Sequence, residues 1–200
     1  MLTPEQIVEN YNKFEALAMK TGDHRQEQLK QFFEAMGERL AMAPASSRVD
    51  YHNCFPGGLV EHSLRVLTNT IKLAKAMDIK VPQEEMIFAC LFHDIGKLGD
   101  LDADRYVEQD EDYWRKKGNL YKVNPKARFM TVQHNSMFLL QHFGIKVSYN
   151  EMMAILLNDG HFDVVNEPYK MKEPDLAVIV HQADLISTRF EKTRTQGESK

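Results

Sequence analysis

Cysteine is scarce. The 200 residues hold two, Cys54 and Cys90, far apart and outside any CxxC spacing. That excludes a disulfide framework and a zinc ribbon, and it suits a reducing compartment. No segment approaches the roughly 18 uninterrupted apolar residues of a membrane-spanning helix. The start, Met1-Leu2-Thr3-Pro4-Glu5, lacks the basic opening and apolar run of a signal peptide, so a cytoplasmic location is expected. Basic excess is missing too: the net charge is -4, with a pI near 6.1. A long nucleic-acid footprint usually shows a basic face, so this balance argues against one. A small anionic substrate needs only a few local cations and stays compatible. Internal repeats and domain linkers are also lacking. One domain over residues 1–200 is expected, with N-terminal helices in 1–44 packed on a catalytic core of 45–190 and a frayed tail over 191–200.

What is present is mostly helix signal. Thr3-Pro4-Glu5-Gln6 reads as an N-cap, a proline at the first helical position and a capping-box glutamine. Ile7, Tyr11, Phe14 and Ala18 then follow a three-four rhythm, as do Leu29, Phe33, Met36 and Leu40 before Pro44. Gly57-Gly58 opens a third helical stretch carrying His62. The run Met86-Ile87-Phe88-Ala89-Cys90-Leu91-Phe92 is apolar nearly all round, which marks a buried helix. Residues 101–128 turn acidic, aromatic and irregular, with a small β-hairpin expected over Tyr113–Val123 and a turn near Gly118-Asn119. Helical periodicity returns over Phe129–Phe143, Tyr149–Leu157 and Leu176–Phe190. The expected fold class is all-α, a helical bundle with at most one hairpin near 105–128.

The chemistry gathers where polar residues interrupt apolar helices. His62 lies inside one helix, His93-Asp94 ends the buried one, and Asp184 sits among Val178, Ile179, Val180, Ala183, Leu185 and Ile186. A buried carboxylate is costly unless it is paired or bound to a cation. One divalent metal held by His62, His93, Asp94 and Asp184 would resolve all of these positions. The alternative is a set of hydrogen-bonded buried polar groups with no metal. The mixed imidazole and carboxylate set suits Mn²⁺, Fe²⁺, Co²⁺, Ni²⁺ or Zn²⁺ better than Mg²⁺.

The text Leu91-Phe92-His93-Asp94-Ile95-Gly96-Lys97 resembles the signature of the HD-domain superfamily of metal-dependent phosphohydrolases. His52 to Leu64, through Pro56-Gly57-Gly58 to His62, is similar to the entry to the first metal histidine in HD-type exoribonucleases and their relatives. His181-Gln182-Ala183-Asp184 resembles the family's closing aspartate helix. The resemblance implies an all-helical HD-type fold with His62, His93, Asp94 and Asp184 as metal ligands. Two-metal members carry further histidines between the dipeptide and the last aspartate. His134 and His161 fall in those places, which implies a possible second ion there. There is no Gly-Tyr-Pro motif, which argues against a cyclic-di-GMP phosphodiesterase of that subtype.

The catalytic set expected on this reading is Asp94, Lys97, His134 and His161. Lys97 has two readings, a solvated helix end or a cation beside the substrate phosphate. His52 either orients its loop or touches substrate. His181, three residues before Asp184, either supports the site or simply packs. Arg65 shares a helix face with His62 and could reach a phosphate, though a surface arginine is the commoner outcome. The 101–128 segment, with Trp114 and Tyr121, is expected to border the pocket and set specificity. The expected activity is hydrolysis of a phosphate ester in a nucleotide, mono- or triphosphate. The alternatives are a phosphodiesterase or 3′–5′ exonuclease on short oligonucleotides, and a non-hydrolytic nucleotide sensor. The expected partner is a small nucleotide-like substrate rather than a long nucleic acid or a membrane.

Overall fold

The computed structural model describes residues 1–160 and 163–195. Helix α1 (Pro4–Ala18) begins with the expected capping box, Thr3 and Gln6 each bonding the other's backbone N–H. Helix α2 (Gln26–Met42) follows a 3₁₀ turn over Asp23–Arg25, and α3 (Gly58–Ala76) follows the irregular loop that ends in Pro56-Gly57. Helix α4 (Gln83–Phe92) runs into a 3₁₀ turn over Ile95–Leu98. All seven residues Met86–Phe92 are buried, as their apolar character requires. Helix α4 packs against α1, α3, α7 (Tyr149–Leu156) and α8 (Asp175–Thr195), so it is the core element of the bundle. Phe92 meets Phe14, Phe32 and Phe88 at ring-centroid distances of 5.7, 5.8 and 4.5 Å. Each such buried ring contributes on the order of 1.5–3 kcal/mol by leaving water.

The fold class is all-α with one small two-stranded sheet. Strand β1 (Tyr106–Glu108) pairs antiparallel with β2 (Tyr121–Val123), Val107 facing Lys122. This corrects the expected hairpin. Tyr113 and Trp114, read there as strand, lie in a short helix α5 (Asp112–Lys116) that connects the two strands. The Gly118 turn is present, at φ +84°, but it ends this helix instead of linking two strands. Asp100 organises the segment: its Oδ1 accepts the N–H groups of Asp102 (2.9 Å) and Ala103 (2.8 Å), and its Oδ2 that of Arg128 (2.7 Å). Helix α6 (Val132–His142) starts at Thr131, whose hydroxyl accepts the N–H of His134. Helix α8 continues to Thr195, beyond the expected end at Phe190, and residues 196–200 of the expected tail lie outside the described residues. No described helix is long and apolar enough to cross a membrane.

Candidate metal centre

Three helices deliver the site. The Asn53 amide donates to the Gly58 carbonyl and to Glu61 Oε2, both at 3.2 Å, and so holds the Pro-Gly-Gly loop against the start of α3. A side chain at Gly58 would meet the Asn53 carbonyl at 2.2 Å, which explains the glycine. One turn further along α3, His62 is fully buried. Helix α4 ends at His93, also fully buried, and Asp94 follows. Asp184 comes from the middle of α8, which packs along α3.

These side chains converge. His62 Nε2 lies 3.0 Å from Asp184 Oδ1 and 3.6 Å from Asp94 Oδ2, and His93 Nε2 lies 3.5 Å from that same Asp94 oxygen. One donor atom from each of His62, His93 and Asp184 falls within 4.8 Å of the others, and His52, His62 and Asp94 form a second such group. The His93 Nδ1–H donates to the Cys90 carbonyl at 2.9 Å. A carbonyl can only accept, so Nδ1 carries a proton and Nε2 is the nitrogen that faces the carboxylates, with a lone pair for a metal in the neutral ring. His93 Nε2 and His52 Nε2 are buried with no hydrogen-bond partner among the described residues. Asp184 Oδ1 is likewise without an aligned hydrogen bond, despite its 3.0 Å approach to His62. Buried polar atoms are rarely left this way. A cation between them would satisfy all of these atoms, so the donor set fits a divalent transition metal.

The electrostatics agree. Burial pushes the Asp94 carboxyl up, but the Lys97 ammonium, then His93 and His62, outweigh it and hold it below the usual range. Asp184 is also held low, since its contacts with His62 and His93 overcome burial. Lys97 Nζ bonds Asp94 Oδ2 at 2.5 Å; burial opposes its charge, and Asp94 and then Tyr106 more than restore it. His52 is driven well below its ordinary value, by burial first and then by His62 and Lys97. Its ring lies 4.6 Å from that of His62.

The cluster opens on a cleft of about 330 Å³ lined by His52, Asp94, Lys97, Gln133, Asp159, His181 and Asp184, among others. Of the residues anticipated to act there, Asp94 and Lys97 line it. His134 does not: it is exposed, with its Nδ1 bonded to the Thr131 hydroxyl at 3.0 Å. Its neighbours face inward instead. Gln133 donates to Asn158 Oδ1 at 3.1 Å and also to Asp159. The Asn135 amide donates to the carbonyls of Gly96 (2.8 Å) and Gly99 (2.7 Å), and the Ser136 hydroxyl accepts the Gly96 N–H (2.8 Å). Residue type alone singles out His134 and not these positions. The available signal was a run of amide and hydroxyl residues at the start of an otherwise apolar helix. His161 lies outside the described residues.

Arg65 pairs with Glu61 at 2.5 Å and is not in the cleft. No residue of 101–128 lines the cleft either, contrary to expectation; that segment adjoins the turn carrying Lys97, where the Arg105 N–H donates to the Leu98 carbonyl at 3.3 Å. Trp114 stays on the surface, 5.1 Å from Tyr113 between ring centroids.

A family model described as HD domain matches residues 59–189, a span that contains His62, His93, Asp94 and Asp184. No curated protein and no solved structure matches the chain.

Proposed function

The chain belongs to the HD-domain superfamily of metal-dependent phosphohydrolases, and from that premise we propose that it hydrolyses a phosphate ester of a small nucleotide, a mono- or triphosphate, in the cleft beside Asp94, Lys97 and Asp184. The supporting observation is the buried Nε2 of His93, without a hydrogen-bond partner among the described residues, oriented by Cys90 toward Asp94 and close to the donor atoms of His62 and Asp184. His62, His93, Asp94 and Asp184 would hold one divalent ion, from Mn²⁺, Fe²⁺, Co²⁺, Ni²⁺ or Zn²⁺. When bound, such an ion supplies charge that polarises a phosphoryl group and makes water more acidic.

The chain's own groups would do the rest. Lys97, anchored on Asp94, presents a cation at the cleft wall for phosphate oxygens. Asp94, with its carboxyl held low, is a weak base and serves better as a ligand. Asp159 is better suited to carry a proton: burial first, then the charges of Asp94 and Asp184, raise its carboxyl above the usual value at the cleft wall. The cleft is at the small end of the ~300–1,000 Å³ range of ligand sites. With a net charge of -4, that size favours a nucleotide over a long polyanion.

The test is phosphate release from nucleoside mono- and triphosphates and from short oligonucleotides, with Mn²⁺, Co²⁺, Ni²⁺, Zn²⁺ and Mg²⁺ in turn. Metal-dependent release from a mononucleotide, absent in Asp184→Asn, is expected. Turnover of oligonucleotides alone would move the assignment to a phosphodiesterase, and no turnover of any substrate would refute hydrolysis.

A further inference from the structure

One stripe of α8 runs past the metal cleft into a second pocket. Ala177, Val178, His181, Asp184, Leu185 and Thr188 recur at three- and four-residue spacing, so they share a helix face. Asp184, Leu185 and Thr188 line the cleft, whereas Ala177 and Val178 line the second pocket; His181 lines both. The second pocket, of about 240 Å³, is also lined by Leu157, Asn166, Tyr169, Met171, Glu173 and Gln182.

The shared wall is rigid. The His181 Nδ1–H donates to the Asn158 carbonyl at 2.6 Å, which leaves the Nε2 lone pair as an acceptor. The ring lies over Gly160, where φ is +57° and an added Cβ would come within 2.4 Å of Cε1 and Nε2. No side chain fits there without displacing the imidazole. Both sides of this wall are largely apolar, but the cleft side adds Asp94, Lys97, Asp159 and Asp184, whereas Glu173 is the one acidic or basic side chain, beside His181 itself, among the described lining residues of the second pocket.

Size and exposure narrow the occupant. The apolar pocket falls below the ~300 Å³ at which whole-ligand sites begin, a volume suited to one end of a molecule. Its rim leaves Tyr169 41%, Val178 43% and Met171 89% exposed, so apolar surface beside a charged cleft goes uncovered in the free chain. A ligand that matches both compartments has an anionic end and a flat, largely apolar end with a polar edge for the Gln182 amide.

We propose that this pocket receives the base of the nucleotide whose phosphate occupies the cleft, with the His181 imidazole as the partition between them. The proposal rests on the hydrolytic reading above for the identity of the phosphate site. The pocket itself can be tested separately.

Two measurements do so on the full chain. In metal-free protein, saturation-transfer NMR compares the four common nucleosides with ribose. In metal-loaded protein, kcat/KM is compared for the nucleoside 5′-monophosphates and ribose 5-phosphate. Val178→Phe fills the pocket from its exposed side, and Tyr169→Ala opens it; both positions are exposed enough to spare the fold. At least one nucleoside should bind where ribose does not, and its monophosphate should be preferred over ribose 5-phosphate by about tenfold or more, the scale of an apolar pocket contact. Val178→Phe should abolish both preferences and Tyr169→Ala should weaken them, while Asp184→Asn abolishes turnover and keeps nucleoside binding. Equal handling of nucleoside and ribose, or a preference untouched by Val178→Phe, overturns the proposal. So does a dimer that Val178→Phe dissociates without changing the preference. Phosphate release that ignores the base would leave hydrolysis standing and remove the pocket. Base-selective binding without phosphate release would do the reverse.

Discussion

The Cys90 carbonyl takes the Nδ1 proton of His93, and that bond decides which ring nitrogen faces the carboxylates. Beside it, Lys97 holds Asp94 ionised. These roles differ, and so should the consequences of removing them. Lys97→Met takes a cation from the cleft wall and leaves the donor atoms of the two histidines and Asp184 in place. It should retain bound metal while kcat/KM falls by about 10²-fold, the scale of one lost transition-state contact. Asp159→Asn should also keep the metal and lose turnover. His134→Ala should change neither, because that ring is on the surface against Thr131. Metal content and initial rates measured on the same preparations check all three. A large loss in His134→Ala would show that α6 turns in the working enzyme. His62, His93, Asp94 and Asp184 were legible because each sets a charge or an imidazole in an apolar helical context. His134 misled because a helix start exposes some positions and buries others, and residue type alone does not say which.

At the scale of elements, α6 holds the turn after His93-Asp94. Ser136 and Asn135 bond the backbone of Gly96 and Gly99, and Gly96 presses against α6 so closely that an added Cβ would meet the Val132 carbonyl at 2.0 Å. The obstacle is backbone, which cannot rotate away. Gly96→Ala should therefore separate the turn from α6, destabilising the fold by about 1–3 kcal/mol or more, and weaken metal binding as Asp94 shifts. Thermal unfolding and metal titration would show it. A variant with wild-type stability would mean that α6 is free to slide. Helix α4 was evident from its unbroken apolar run, and α1 from its capping box. The Tyr113–Val123 stretch reads as a hairpin because Tyr113 and Trp114 carry strand propensity, while the pairing that decides the matter lies elsewhere, between Tyr106–Glu108 and Tyr121–Val123. Strand pairing is a non-local choice that a local pattern does not contain.

At the scale of the whole molecule, a buried ion pair ties the N-terminal segment to the bundle. The Arg25 guanidinium donates to Glu151 Oε1 at 2.8 Å and Oε2 at 3.1 Å, and it lies 4.1 Å over the Phe88 ring. Both side chains are shielded from water. Glu151→Ala would strand the guanidinium, at a cost of about 3–5 kcal/mol. For a chain of this length that lowers Tm by roughly 10 °C, with bound metal unchanged at lower temperature. Arg25→Met combined with Glu151→Leu should recover most of the loss, since an apolar pair removes the stranded charge. The pair joins residues 126 apart in sequence, so no local pattern could reveal it. The decisive property is a metal held where helices α3, α4 and α8 meet. Its most direct measurement is transition metal per chain, after loading and gel filtration, in the wild type and in Asp184→Asn with helical content checked by circular dichroism. About one ion per wild-type chain, the stoichiometry of a single closed donor set, and little in a folded variant is the predicted result. No bound metal in the wild type, or equal metal in both proteins, would contradict it.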